Sequence, residues 1–173
     1  MFDDESLDLS AEVGRVLLAR GQMLAAAESC TGGLVAGLVT AVAGSSAWFD
    51  RGFVTYTNAA KMAQLGVREA TLAAHGAVSE ETAGEMAAGA LQAAGAQVAV
   101  STTGIAGPGG ATPGKPVGMV CFGWAWNGPA GLQIRTATHL LDGDRSEVRM
   151  QSVRIALRGV LDLAPDAAGA QKE

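Results

Sequence analysis

Aromatic side chains are scarce in this 173-residue chain, with four Phe, three Trp and one Tyr. Its core therefore cannot rest on large rings, and the abundant Ala together with 24 Gly points instead to helices packed closely on a sheet. Cysteine is scarcer still. Cys30 and Cys121 form neither a disulfide framework nor a zinc spacing, so a reducing, cytoplasmic compartment is expected. Basic residues are outnumbered, 12 Lys and Arg against 17 Asp and Glu, and no basic block offsets the net charge of −5. That balance argues against nucleic acid as a partner. No apolar run reaches the ~18 residues of a membrane span, so no membrane partner is expected. The opening Met1-Phe-Asp-Asp-Glu-Ser6 is acidic and lacks the basic-then-apolar layout of a signal peptide. His75 and His139 match no metal spacing, and no metal is expected. With no internal repeat and no linker, residues 1–173 read as one domain, its Ala-rich polar tail from about 164 to 173 expected to fray.

What the chain does contain is the stretch Leu24-Ala-Ala-Ala-Glu-Ser-Cys-Thr-Gly-Gly33. A run of small residues ends at Glu28, two glycines follow Thr31, and an apolar segment begins at Leu34. The pattern predicts a buried strand over Met23–Ala27 that feeds a helix from about Gly32 to Val42, with Ser29 at the joint. A helix start presents unpaired N–H groups and partial positive charge, which suits a phosphate or an oxyanion. Gly32 and Gly33 allow a ligand close to the backbone. Two other readings stand beside this one. Ser29 or Thr31 as a helix cap worth ~1 kcal/mol is the commoner reading of the local sequence alone. Cys30 is a rival nucleophile, since thiolates form readily at helix starts.

The remaining chain alternates helix and strand. Helices are predicted over Asp8–Arg20, Ala59–Leu65 behind an Asn58 cap, Arg68–Ala73, Ser79–Ala94 and Asp144–Leu163. Strands are predicted over Phe49–Tyr56, Gln97–Thr103, Val117–Trp126 and Leu132–His139, the last two joined by the turn Asn127-Gly128-Pro129. Alternation early and a hairpin late imply an α/β fold with a mixed sheet, its ligand at the carboxyl ends of the strands.

Two cations sit at helix starts, where the dipole disfavours them. Lys61 falls in the first turn after Asn58; there its pKa is pushed down, and if also partly buried it suits a neutral general base, although by position alone a solvated surface lysine is the commoner reading. Arg145 adjoins the expected cap Asp144, a placement that makes sense with an anionic ligand or with pairing to Glu147 or Asp142. The segment Gly109-Gly-Ala-Thr-Pro-Gly-Lys115-Pro116 imitates a P-loop. It is rejected, because Pro116 replaces the magnesium-binding hydroxyl and a strand follows instead of a helix.

Several motifs in order resemble one family. They are Ala27-Glu-Ser-Cys-Thr-Gly-Gly33, Gly52-Phe-Val-Thr-Tyr-Thr-Asn58 with Lys61, His75-Gly-Ala-Val-Ser79, Ser101-Thr-Thr-Gly-Ile-Ala-Gly-Pro-Gly-Gly110, and Lys115-Pro-Val-Gly118. Together they resemble the C-terminal domain of the competence/damage-inducible protein CinA, from about Leu7 to Leu163. The resemblance implies a three-layer α/β/α sandwich that forms homodimers. It also implies hydrolysis of nicotinamide mononucleotide (NMN) to nicotinate mononucleotide and ammonia, a salvage step needing no cofactor. Carried over residue by residue, it makes Ser29 the nucleophile and Lys61 the general base, with Tyr56 beside the substrate. Ser46 of the Gly-Ser-Ser segment, Thr103, Gly104 and Arg145 of Gly143-Asp-Arg145 become substrate contacts, and the backbone from Cys30 through Thr31 and Gly32 to Gly33 an oxyanion site. Gly114 stands where an acidic residue is common in the family. The alternative is a nucleotide-binding or regulatory module without turnover.

Overall fold

The computed structural model describes residues 2–163; the tail expected to fray from about 164 lies outside them. In chain order the elements are α1 (Asp4–Arg20), β1 (Leu24–Glu28), α2 (Leu34–Thr40), a 3₁₀ turn (Ser45–Ala47), β2 (Phe49–Val54), α3 (Asn58–Leu65), α4 (Glu69–His75), α5 (Glu80–Ala94), β3 (Val98–Gly104), β4 (Met119–Gly128), β5 (Gly131–Leu140) and α6 (Arg145–Leu161). The strands form one mixed sheet in the order β2-β1-β3-β4-β5. β1 pairs in parallel with both β2 and β3, whereas β3/β4 and β4/β5 are antiparallel. The three-layer α/β/α sandwich is the fold found.

Alternation along the strands divides the core in two. Leu24, Ala26, Val98, Val100, Phe122 and Trp124 face α1, α2 and α6, joined there by Val13, Leu17, Val153 and Leu157. Ala25, Ala27, Ala99 and Ala125 face α5, where Met86, Ala87 and Ala90 meet them. One layer is built from large side chains and the other from small ones. The small layer lets backbones touch: a Cβ on Gly89 would stand 1.9 Å from the Leu65 carbonyl oxygen, and one on Gly123 2.4 Å from that of Ala83. This close approach is what the scarcity of aromatics and wealth of Ala and Gly predicted.

The strand order places the site. From β1 the chain crosses to β2 through α2 and returns to β3 through α3, α4 and α5. β1 is thus the point where the connections diverge, and the crevice at its carboxyl end is open to a ligand. Most predicted boundaries shift by a few residues. Thr57, not Asn58, caps α3, its hydroxyl accepting from the Ala60 amide. The helix expected from Gly32 begins at Leu34, because Gly32 (φ 58°) and Gly33 (φ 95°) form a left-handed turn that glycine adopts without strain. The capping box at the start of α6 is present, with Asp144 and Glu147 as its pair.

Candidate active site

Ser29 leaves the end of β1, its amide bonded to the Thr102 carbonyl of β3 at 2.9 Å. Lys61 comes from α3 on the same inward face as Leu65, one turn later. Its Nζ lies 2.9 Å from Ser29 Oγ and 2.8 Å from the Thr55 carbonyl oxygen. Only 1% of Lys61 is exposed, and among the described residues no carboxylate lies within ion-pair distance of it. Burial without a counter-charge disfavours the ammonium and lowers its pKa from 10.5 to about 8. Desolvation is the leading cause of that shift.

The two residues line a cavity of about 220 Å³ together with Cys30, Tyr56, Asn58, Ala77, Val78, Thr103, Gly104, Ala106 and Arg145. Tyr56 is 59% exposed and stands at the mouth. Its hydroxyl accepts from Arg145 Nη2 at 3.0 Å, while Arg145 Nη1 donates to the Gly107 carbonyl at 2.8 Å. Arg145 pairs with neither Glu147 nor Asp142: Glu147 is turned to the Asp144 amide in the capping box. Thr103 commits its hydroxyl to the Ala77 carbonyl at 2.7 Å. Gly104 must be glycine here, since a Cβ would meet the Met119 carbonyl oxygen at 2.7 Å.

The expected anion hole is narrower than the sequence implied. Glu28, buried at 1% exposure, folds over the start of α2 and accepts from the amides of Gly33 and Val35 at 3.0 Å each and of Ala36 at 2.9 Å. It also accepts from the Thr31 hydroxyl at 2.6 Å, which meets Thr102 Oγ1 at 2.7 Å. The Gly32 amide turns back to the Ser29 carbonyl. An internal carboxylate therefore occupies the positive end of α2. Within residues 30–33 this leaves the Cys30 amide, beside its own sulfur, and the Thr31 amide. The Gly32 and Gly33 amides are taken up within the protein. The Thr31 side chain likewise faces Glu28 and Thr102, away from the cavity.

Ser46 is not brought to this cavity. It is exposed in the 3₁₀ turn next to Trp48, whose carbonyl receives the Leu24 amide at the opposite end of β1 from Ser29. Cys30 is buried, and desolvation pushes its thiol up to about 12, so the thiolate is withheld. Lys115 of the P-loop imitation donates to the His75 carbonyl, outside the site, and its loop closes on itself through paired Thr112–Lys115 backbone bonds.

Sequence reasoning missed four contributors: Glu28, the Thr55 carbonyl, Asn58 and Arg149. Arg149 donates to the Cys30 and Thr31 carbonyls at 3.1 and 2.8 Å. Its spacing of four from Arg145, one helical turn on the same face, was the available signal. Among the described residues no cluster of His, Cys, Asp and Glu is suited to hold a metal, and no helix is long and apolar enough to cross a membrane.

The family model of the CinA C-terminal domain matches residues 6–164. The chain belongs to the CinA C-terminal domain family. Among relatives of this CinA domain, the nicotinamide-nucleotide amidohydrolase PncC of Escherichia coli K12 is 54% identical over 158 residues, 91% of this chain and 94% of that protein. The protein of the same name from Enterobacter agglomerans is 55% identical over 154 residues, 89% and 92% of the two chains. The crystal structure of the competence/damage-inducible protein CihA from Agrobacterium tumefaciens superposes on the CinA domain with a TM-score of 0.87 at 44% identity, covering 94% of this chain and 98% of that one.

Proposed function

We propose that this CinA domain is a nicotinamide-nucleotide amidohydrolase, hydrolysing NMN to nicotinate mononucleotide and ammonia. The observation that carries the reading is the 2.9 Å approach to the Ser29 hydroxyl of a buried lysine that has no carboxylate within ion-pair distance among the described residues. Relatives of nearly the same length that bear the amidohydrolase name support the choice of substrate.

In this reading neutral Lys61 accepts the Ser29 proton while Oγ attacks the carboxamide carbon. The tetrahedral oxyanion is held by the Thr31 and Cys30 amides; loss of one such donor costs about 3 kcal/mol of barrier. The C–N bond breaks as Lys61 returns the proton to the leaving nitrogen, releasing ammonia and leaving an acyl ester on Ser29. Water then attacks the ester, its proton passes to Lys61, and Ser29 is regenerated. This is a serine–lysine form of triad logic without histidine. A cavity of about 220 Å³ is below the ordinary range of ~300–1,000 Å³ for ligand pockets. It suits the pyridine carboxamide, with the ribose and phosphate reaching out to Arg145 and Tyr56 at the mouth.

The family resemblance adds a single catalytic domain working as a cytoplasmic homodimer without nucleic acid. Sedimentation of the purified chain checks the dimer. The test of the reaction is ammonia release from NMN without added metal, with Ser29→Ala beside the wild type. Release by the wild type alone supports both reaction and nucleophile. NMN protection against thermal unfolding with no ammonia from either protein would make the chain a binding module.

A further inference from the structure

Arg149 takes no part in the chemistry above, yet it holds the turn that carries it. It projects from α6 one helical turn beyond Arg145, while Val148, Ser152 and Val153 anchor the helix in the core. Its Nε donates to the Cys30 carbonyl at 3.1 Å and its Nη2 to the Thr31 carbonyl at 2.8 Å. Gly32 brings the turn against the guanidinium: a Cβ there would stand 3.4 Å from Nη2.

The two carbonyls belong to consecutive peptide planes. In a trans peptide the N–H points opposite to the preceding C=O, so fixing the Cys30 carbonyl on Arg149 fixes the direction of the Thr31 amide. Fixing the Thr31 carbonyl does the same for the Gly32 amide, which closes the turn on the Ser29 carbonyl at 3.1 Å. A planar guanidinium spans two such oxygens in one rigid geometry, which a lysine cannot do. Glu28 holds this turn from the α2 side, and Arg149 holds it from α6.

We propose that Arg149 is a positioning residue for acyl transfer at Ser29, orienting the Thr31 amide as oxyanion donor and steadying Ser29 against Lys61. The inference rests on the amidohydrolase reading. Since the oxyanion exists only in the transition state and intermediates, the residue acts on kcat and not on substrate binding.

The experiment compares steady-state ammonia release from NMN by wild type, Arg149→Ala and Arg149→Lys, with thermal melts of each. Arg149→Ala is expected to lower kcat about 100-fold with KM within about threefold. The pH midpoint of its residual activity should match the wild type, because Lys61 keeps its surroundings. Added guanidinium ion at low millimolar concentration should restore part of the lost rate to Arg149→Ala and none to Ser29→Ala. Arg149→Lys should be slowed without a change in KM, because one ammonium cannot span both carbonyls. Should the alanine variant fail to fold, the lysine variant decides alone. Wild-type kcat in either folded variant overturns the proposal, as does a loss in Arg149→Ala that guanidinium does not relieve. Absence of ammonia from the wild type sinks the amidohydrolase reading itself, and is seen before any variant is compared.

Discussion

Lys61 Nζ stands 2.9 Å from Ser29 Oγ, with the Thr55 carbonyl as its only other hydrogen-bond partner among the described residues. A lysine held this way must lose its proton before it can accept one from serine. With the pKa at about 8, roughly a tenth of the molecules carry the neutral amine at pH 7 and most do at pH 9. The rate kcat/KM for NMN should therefore rise through a midpoint near 8 and level off above it. A flat profile from pH 6 to 9 would remove Lys61 as the base.

The same burial makes Lys61 a burden on stability. The unfolded chain binds this proton up to about 10.5 and the folded one only to about 8. Below pH 8 the cost of holding the cation is on the order of 3 kcal/mol, and it is relieved as pH rises from 8 towards 10.5. Lys61→Met should abolish turnover yet melt at or above the wild-type temperature at pH 7, with the gap closing at pH 10. A variant less stable than wild type by the same margin at every pH contradicts this account.

Cys30 adjoins Ser29 but is expected to be inert. Its thiol is pushed up to about 12 by burial, so iodoacetamide at pH 8 should leave the folded protein unmodified and active. Cys30→Ala should keep kcat within a few-fold of wild type, whereas Ser29→Ala should show none of the enzymatic rate. Turnover surviving in Ser29→Ala and vanishing in Cys30→Ala would reverse the two assignments.

At the mouth, Arg145 is the expected phosphate contact. Arg145→Ala should raise KM for NMN at least tenfold, about 1.4 kcal/mol, with kcat changed much less. Tyr56→Phe should act partly through Arg145, so the double variant should be less than additive. Additive effects would show that the 3.0 Å contact between them carries no coupling.

Glu28 bears on the integrity of the whole joint. Glu28→Ala would take the acceptor from three amides at the start of α2, that of Val35 buried and those of Gly33 and Ala36 half-buried, and leave the Thr31 hydroxyl with Thr102 alone. A loss of about 3 kcal/mol or more is expected by chemical denaturation. Glu28→Gln should also destabilise, since its NH₂ group would face donors. Wild-type stability in both variants would show that α2 needs no internal acceptor.

The strands and the helices were legible in the sequence because each leaves a local trace, whereas the pairing of Ser29 with Lys61 came from the family resemblance and had only hints in the local sequence. Small residues run into Ser29, and a cation appears where a helix start disfavours one. The anion hole was read too widely for a reason equally local. Glu28 reads as the residue that ends the small-residue run just after the expected strand, and nothing nearby in sequence shows that it bends over the following turn to take the amides of Gly33, Val35 and Ala36. Arg149 was hidden by distance, since its partners lie more than a hundred residues earlier. Ser46 shows the opposite case: a motif position carried over by resemblance, which this chain places at the far end of β1.

The pairing of Leu24 with Val98 sets a condition on how the protein is made. During synthesis β1 emerges from the ribosome long before β3 exists to cover its second edge, and all five of its residues are destined for the interior. A strand of Val and Ile kept waiting in that state would invite association between nascent chains. Leu-Ala-Ala-Ala-Glu is instead weakly hydrophobic and a poor strand former on its own. The alanines that let α5 pack closely in the finished sheet thus also lower the tendency of the strand leading to Ser29 to associate before its neighbour arrives.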